Sequence, residues 1–129
     1  MKPNRLIGSR AIAHALGYRP DAVRAWRQAG HLDGIGRIRS GDMTYADDDI
    51  ALLATATHLI TIGWRHVAAF DFVRLCRQEI CGALDNASSG IVTITLDAVD
   101  PTSALVVKVR DLAEHIAAKA HEFERRHAA

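Results

Sequence analysis

IAHALGYRPDAVRAWRQAGHL, residues 12–32, reads as a short helix, a glycine turn and a second helix studded with arginines. Ser9 stands where it can cap the first helix, whose apolar residues Ile12, Ala13 and Leu16 fall at i, i+1 and i+4. Gly17 sits where a chain leaving a helix needs a positive φ. Pro20 suits the first turn of the next helix, where a missing N–H costs nothing. Val23 and Trp26, three apart, are expected to face the core, leaving Arg19, Asp21, Arg24 and Arg27 on the outer face. This is the layout of a helix-turn-helix, in which side chains near the start of the second helix reach base edges in the major groove. Two short amphipathic helices joined at a glycine also occur in domains that meet no nucleic acid, so the rest of the chain must decide.

Composition excludes some classes. With 129 residues, 49% hydrophobic and 24% charged, the chain can bury a modest core and is not a disordered segment. The formal net charge is only +1, which argues against coating nucleic acid along the whole length. Its distribution is more telling. Residues 1–45 carry eight Lys/Arg against three Asp/Glu, a balance of +5, whereas residues 46–129 carry eight against twelve, a balance of −4. Positive charge is concentrated on the half that holds the helix-turn-helix pattern. No stretch is long and apolar enough to span a bilayer, and MKPNRLIG has no apolar signal core, so a soluble, cytoplasmic protein without membrane partners is expected.

Candidate chemistry is sparse. Cys76 and Cys81 are five apart, which matches neither a CxxC redox pair nor a zinc pair, and both read as plain buried or half-buried thiols. The seven histidines, His14, His31, His58, His66, His115, His121 and His127, include no HxxxH pair, so no metal site or cofactor is expected. There is no GxSxG, P-loop or glycine-rich dinucleotide turn, and Asp47, Asp48 and Asp49 read as the charged first turn of a helix. A non-enzyme is expected.

Beyond the second helix, Ile35–Arg39 and Met43–Tyr45 flank the turn-rich Ser40, Gly41 and Asp42, predicting a β-hairpin. Its apolar Ile35 and Ile38 are expected to rest on the helices while Arg37 and Arg39 face a phosphate backbone. A hairpin in that place is a wing.

The order G-Y-x-P from Gly17, V-R-x-W from Val23, A-G-H-L from Ala29, an Arg-bearing hairpin, Gly41, Tyr45, an acidic triplet and Ile50 resembles the winged helix-turn-helix of the MerR family. The I-G-W at Ile62–Trp64 is similar to the family's joint between its third and fourth helices, and the resemblance covers roughly residues 6–82. It implies that Arg24 is the arginine of the recognition helix, that Trp26 packs inward, that Gly30 and Leu32 end the helix, and that Arg39 and Tyr45 are backbone contacts of the wing. The chain departs from the pattern at Ala25, Arg27, Asp42 and Met43, so its DNA contacts differ from those of the family, with Arg27 and Arg37 as substitutes.

Helical stripes continue through Ile50, Leu53, Thr57, Ile60 and Trp64, and again through Phe70, Val73, Cys76, Ile80 and Leu84. Phe70 and Phe72 read as core rather than as the lining of an effector pocket. After Asp85–Gly90, a linker by composition, Ile91–Leu96 is a β-prone run that needs a partner, either the wing hairpin or its copy in a second subunit. Pro101 is expected to open a last helix running to about His127. On it Leu105, Val109, Leu112, Ile116, Lys119 and Phe123 alternate four and three apart, a heptad seam broken only at Lys119 and flanked by Ala113, Ala117 and Ala120. An antiparallel two-helix dimer is the favoured reading, and a helix folded back on its own domain the other.

The expected architecture is thus mainly α with a small β-hairpin wing. A winged helix-turn-helix unit over residues 1–85 is followed by a linker, one extra strand and a long dimerisation helix over 86–129. The implied function is a homodimeric, sequence-specific transcriptional regulator that binds double-stranded DNA at a pseudo-palindromic operator. The resemblance adds a contact with RNA polymerase. An excisionase-like protein that bends DNA in a mobile element and an antitoxin-like or adaptor dimer are the alternatives.

Overall fold

The computed structural model describes residues 6–95 and 104–127. Strand β1 (Ile7–Gly8) leads directly into α1 (Ser9–Leu16), which ends at Gly17 with φ 83°. Helix α2 (Pro20–Gln28) starts on Pro20 and buries Val23 and Trp26. A loop then leads to the hairpin β2 (Arg37–Arg39) and β3 (Asp42–Tyr45). Ser40 and Gly41 both take positive φ at its two-residue turn, the backbone that matches the twist of paired strands. Three more helices follow, α3 (Asp47–Thr61), α4 (His66–Leu75) and α5 (Arg77–Gly82). A second hairpin, β4 (Val92–Thr95) with β5 (Ala104–Val107), precedes α6 (Val109–His127). Among the described residues the chain is therefore mainly helical, with two small antiparallel sheets.

Helix α3 lies at the centre. Every residue from Asp49 to Thr57 is buried, so the stripe expected from Ile50, Leu53 and Thr57 widens into a helix apolar on all sides. Thr55, Thr57 and Thr61 satisfy their hydroxyls by donating to the carbonyls of Ala51, Leu53 and Thr57, one turn back. Asp49 accepts from the Ala46 N–H at 2.9 Å, closing the first turn that the acidic triplet marks. The next expected stripe is broken at Cys76, where the backbone leaves helical geometry between α4 and α5. Phe70, Val73, Ile80 and Leu84 are nonetheless buried, whereas Phe72 packs its ring 5.5 Å from Trp64.

The first sheet has the order β1-β3-β2, and β1 escaped the sequence reading because two residues carry no pattern. Ile7 pairs with Tyr45, and both side chains are fully buried. Ile35 is buried as expected, but Ile38 is 70% exposed and does not rest on the helices. Ile35 and Ile38 are three positions apart, which strand alternation sets on opposite faces; between them Gly36 takes φ 84°, where a Cβ would meet Tyr45 Cε1 at 2.9 Å. Ile38 pairs with Met43 near the tip of the hairpin, away from the buried Ile7 and Tyr45 pair.

The C-terminal third differs most from expectation. Leu105 lies in β5 rather than on the last helix, and β4 takes this strand of the same chain as its partner instead of the first hairpin or a second subunit. Val92 pairs with Val107 and Ile94 with Leu105, placing four apolar side chains on one face. Leu96 and Pro101 lie outside the described residues. Helix α6, about 28 Å long at 1.5 Å per residue, folds back against α1 and α3. Val109, Ala113 and Ala120 are buried in the same apolar cluster as α1–α5, with Leu112, Ile116, Ala117 and Phe123 packed beside them. Of the expected seam on this helix, Val109 is buried against its own chain and Leu112, Ile116 and Phe123 are partly covered by it. The alanines form the close-packed stripe and the larger side chains flank it, the reverse of the expected roles. The expected boundary at residues 85 and 86 does not separate two cores, and Asp85–Gly90 is a tied turn rather than a free linker. Arg110 Nη2 donates to the carbonyls of Asp85 and Ser88 at 2.6 and 2.7 Å.

A substitution pair reads this packing. Ala120→Leu overfills a fully buried position and is expected to lower the urea unfolding free energy by about 1–3 kcal/mol. Lys119→Leu, on the exposed side, is expected to change it by no more than about 0.5 kcal/mol, whereas a heptad seam between two copies would make Lys119→Leu stabilising.

Candidate nucleic-acid interface

Helix α2 has an inner and an outer face of opposite character. Inside, Trp26 meets Tyr18 edge-on at 4.7 Å and Phe70 at 5.2 Å, while His31 stacks on Phe70 at 5.5 Å with planes 5° apart. These rings fasten α2 to α4, and His31 acts as a packing group. Outside, Arg19, Asp21 and Arg24 are exposed, with Arg24 Nη1 3.3 Å from Asp21 Oδ1. Both partners are largely solvated, so this pair is worth little and leaves Arg24 free to exchange it for another acceptor.

The hairpin contributes two more cations. Arg37 and Arg39 are exposed and stand on one face of β2, opposite Thr44 and Asp42 of β3. Among the described residues, neither forms an ion pair, and the same holds for Arg19. An open groove of about 620 Å³ lies beside the hairpin, lined among others by Ser9, Arg10, Arg39 and Thr44 and by Phe123 and Glu124 of α6. There the Gly8 N–H donates to Glu124 Oε2 at 3.1 Å.

Two expected contacts have a different role. Tyr45 is fully buried and cannot reach a ligand on the surface; its hydroxyl accepts from Arg27 Nη2 at 2.5 Å, and the Arg27 guanidinium carbon lies 5.7 Å from its ring centre. Arg27 is accordingly half-buried and bridges α2 to β3 rather than standing free on the outer face. The pair explains how helix and hairpin hold a fixed relation.

Two arginines that sequence reasoning passed over complete the frame. Arg74 Nη1 donates to the Gly30 carbonyl at 2.9 Å and Arg74 also bonds Asp71. Arg77 Nη1 donates to the Gly34 carbonyl at 2.6 Å while its Nη2 lies 3.7 Å from the buried Asp49. Together they clamp the loop between α2 and β2. Their spacing of three on a helical stretch is common, so no signal in the sequence set them apart.

Among the described residues no three His, Cys, Asp or Glu groups come together as metal ligands. Cys76 and Cys81 are half-buried free thiols, and burial pushes Cys81 from the ordinary 9.0 up to about 11, with Asp48 adding to the shift and Arg77 opposing it. No helix among the described residues is long and apolar enough to cross a membrane. No protein family, curated protein or solved structure matches this chain.

Two measurements check this frame. Tyr45→Phe removes the acceptor of Arg27 and is expected to cost about 1–2 kcal/mol in urea unfolding, without loss of helical signal. The raised Cys81 pKa keeps its thiolate about a hundredfold scarcer near neutral pH than that of an unperturbed thiol. Iodoacetamide should therefore modify Cys81 slowly below about pH 9, with the rate still climbing as pH approaches its pKa.

Proposed function

We propose that this chain is a non-catalytic, sequence-specific regulator that binds double-stranded DNA as a winged helix-turn-helix, with α2 in the major groove and the β2–β3 hairpin on the backbone. The observation that carries this reading is the set of exposed arginines on two elements tied side by side. Arg19 and Arg24 lie on the outer face of α2, Arg37 and Arg39 lie on one face of β2, and the Arg27–Tyr45 contact holds helix and hairpin together. Guanidiniums suit both surfaces of a duplex, because their planar fork matches guanine O6 and N7 as well as phosphate oxygens. The first 45 residues supply the positive field that draws a polyanion. The order of elements from β1 through α4 supports the resemblance to the MerR family.

A homodimer on two half-sites belongs to this reading, although Val109 of the α6 seam is buried in the chain's own core and Leu112, Ile116 and Phe123 are partly covered by it. That same observation favours an excisionase-like architectural protein as the second reading, since several copies bound side by side need no long dimerisation helix. A footprint of two half-sites about one helical turn apart supports the regulator, and clustered multi-site footprints support the second reading.

Mutation separates base reading from backbone holding. Arg24→Ala is expected to weaken binding to a selected operator by about 1–3 kcal/mol and relax the preference at one base pair. Arg37→Ala and Arg39→Ala are expected to weaken all sequences alike, each lowering the slope of log affinity against log salt by about one. Electrophoretic or fluorescence titrations over a range of salt concentrations read both effects. Equal affinities for wild type and all three variants would overturn the proposal.

A further inference from the structure

Away from the arginine face, a pocket of about 270 Å³ opens where the start of α3, the turn after α5 and the middle of α6 meet. Its apolar floor is made of Ile50, Leu84, Ala113 and Ala117. Two carboxylates, Asp47 and Glu114, line it from different helices, and among the described residues neither is in an ion pair. The one cation of the lining, Arg110, is turned to the preceding turn: its Nη2 donates to Asp85 O, Ser88 O and Ser88 Oγ at 2.6, 2.7 and 3.0 Å, while its Nε is buried without a partner among the described residues. Gly90 packs against this guanidinium so closely that a Cβ there would lie 3.0 Å from its central carbon. That wall is fixed in place by the turn.

Asp47 is poorly compensated. Partial burial raises the Asp47 pKa, the neighbouring Asp48 raises it further, and only His121 acts against them. An apolar floor beneath two carboxylates suits one kind of occupant, because the floor rewards a hydrocarbon and the carboxylates reward a positive charge. An anion would meet Asp47 and Glu114, and a neutral apolar molecule would gain nothing from either. A molecule with several charges would carry cations onto the floor.

We propose that this pocket binds a small amphipathic monocation, a primary ammonium with a short apolar tail, whose tail lies on Ile50, Leu84, Ala113 and Ala117 and whose ammonium meets Asp47 and Glu114. The site is separate from the proposed DNA surface and does not depend on it.

The test is an amide NMR titration of the full chain with hexylammonium, alongside neutral hexanol of the same shape. Saturable shifts at Leu84, Ala113 and Ala117 are expected with hexylammonium, and hexanol should bind more weakly. Glu114→Gln and Asp47→Asn are each expected to weaken hexylammonium by about fivefold while leaving hexanol unchanged. Both variants are expected to fold, since Glu114 is exposed and burial already disfavours the Asp47 charge. Equal binding of the two probes, shifts that spread over the surface without saturating, or variants that bind hexylammonium as wild type does would each overturn the proposal.

Discussion

A helix that is apolar on every side can exist in water only if other elements cover it completely, and α3 imposes that condition on this chain. From Ile50 to Thr57 it offers no solvated face. Each large side chain among these gains about 1.5–3 kcal/mol on full burial, so any uncovered side would forfeit a sizeable part of a small domain's stability. Helices α1, α4, α5 and α6 and strand β3 provide the cover. The last helix closes the side left open, and its alanine stripe lets it come close. This requirement accounts for the burial of Val109, Ala113 and Ala120 on α6.

The proposed DNA surface follows from the same core. Trp26 and Val23 are drawn inward, so Arg24 between them points outward. Tyr45, buried against Ile7, fixes the base of the hairpin and reaches Arg27, while Arg74 and Arg77 hold the intervening loop by its carbonyls. Arg19, Arg24, Arg37 and Arg39 are thereby presented on rigid supports, which limits the conformational entropy that a recognising surface must give up.

Sequence reading succeeded where local chemistry dominates. Gly17, Pro20, the Val23 and Trp26 pair, the turn at Ser40 and Gly41, and the acidic start of α3 each follow from backbone preference or helical period, and the structure places each as expected. It failed where two patterns coincide. Leu105 and Val109 keep a helical interval across a strand boundary, because four apolar residues in β5 satisfy either period, and only pairing with β4 decides. The family resemblance implies a surface contact for Tyr45, whereas its burial depends on pairing with Ile7, thirty-eight positions earlier in the chain. The clamps of Arg74 and Arg77 are likewise tertiary, as are the pocket carboxylates Asp47 and Glu114, which come from helices far apart in the sequence.

The central claim is that the arginine face of α2 and the hairpin selects particular DNA sequences. Its most direct test is selection of bound fragments from the genome that encodes this chain, using the full chain at low salt and then at rising salt. The account predicts enrichment of fragments that share a common sequence, with the enrichment growing as salt removes non-specific complexes. Recovery of fragments without any shared sequence, or no binding even at low salt, would contradict it.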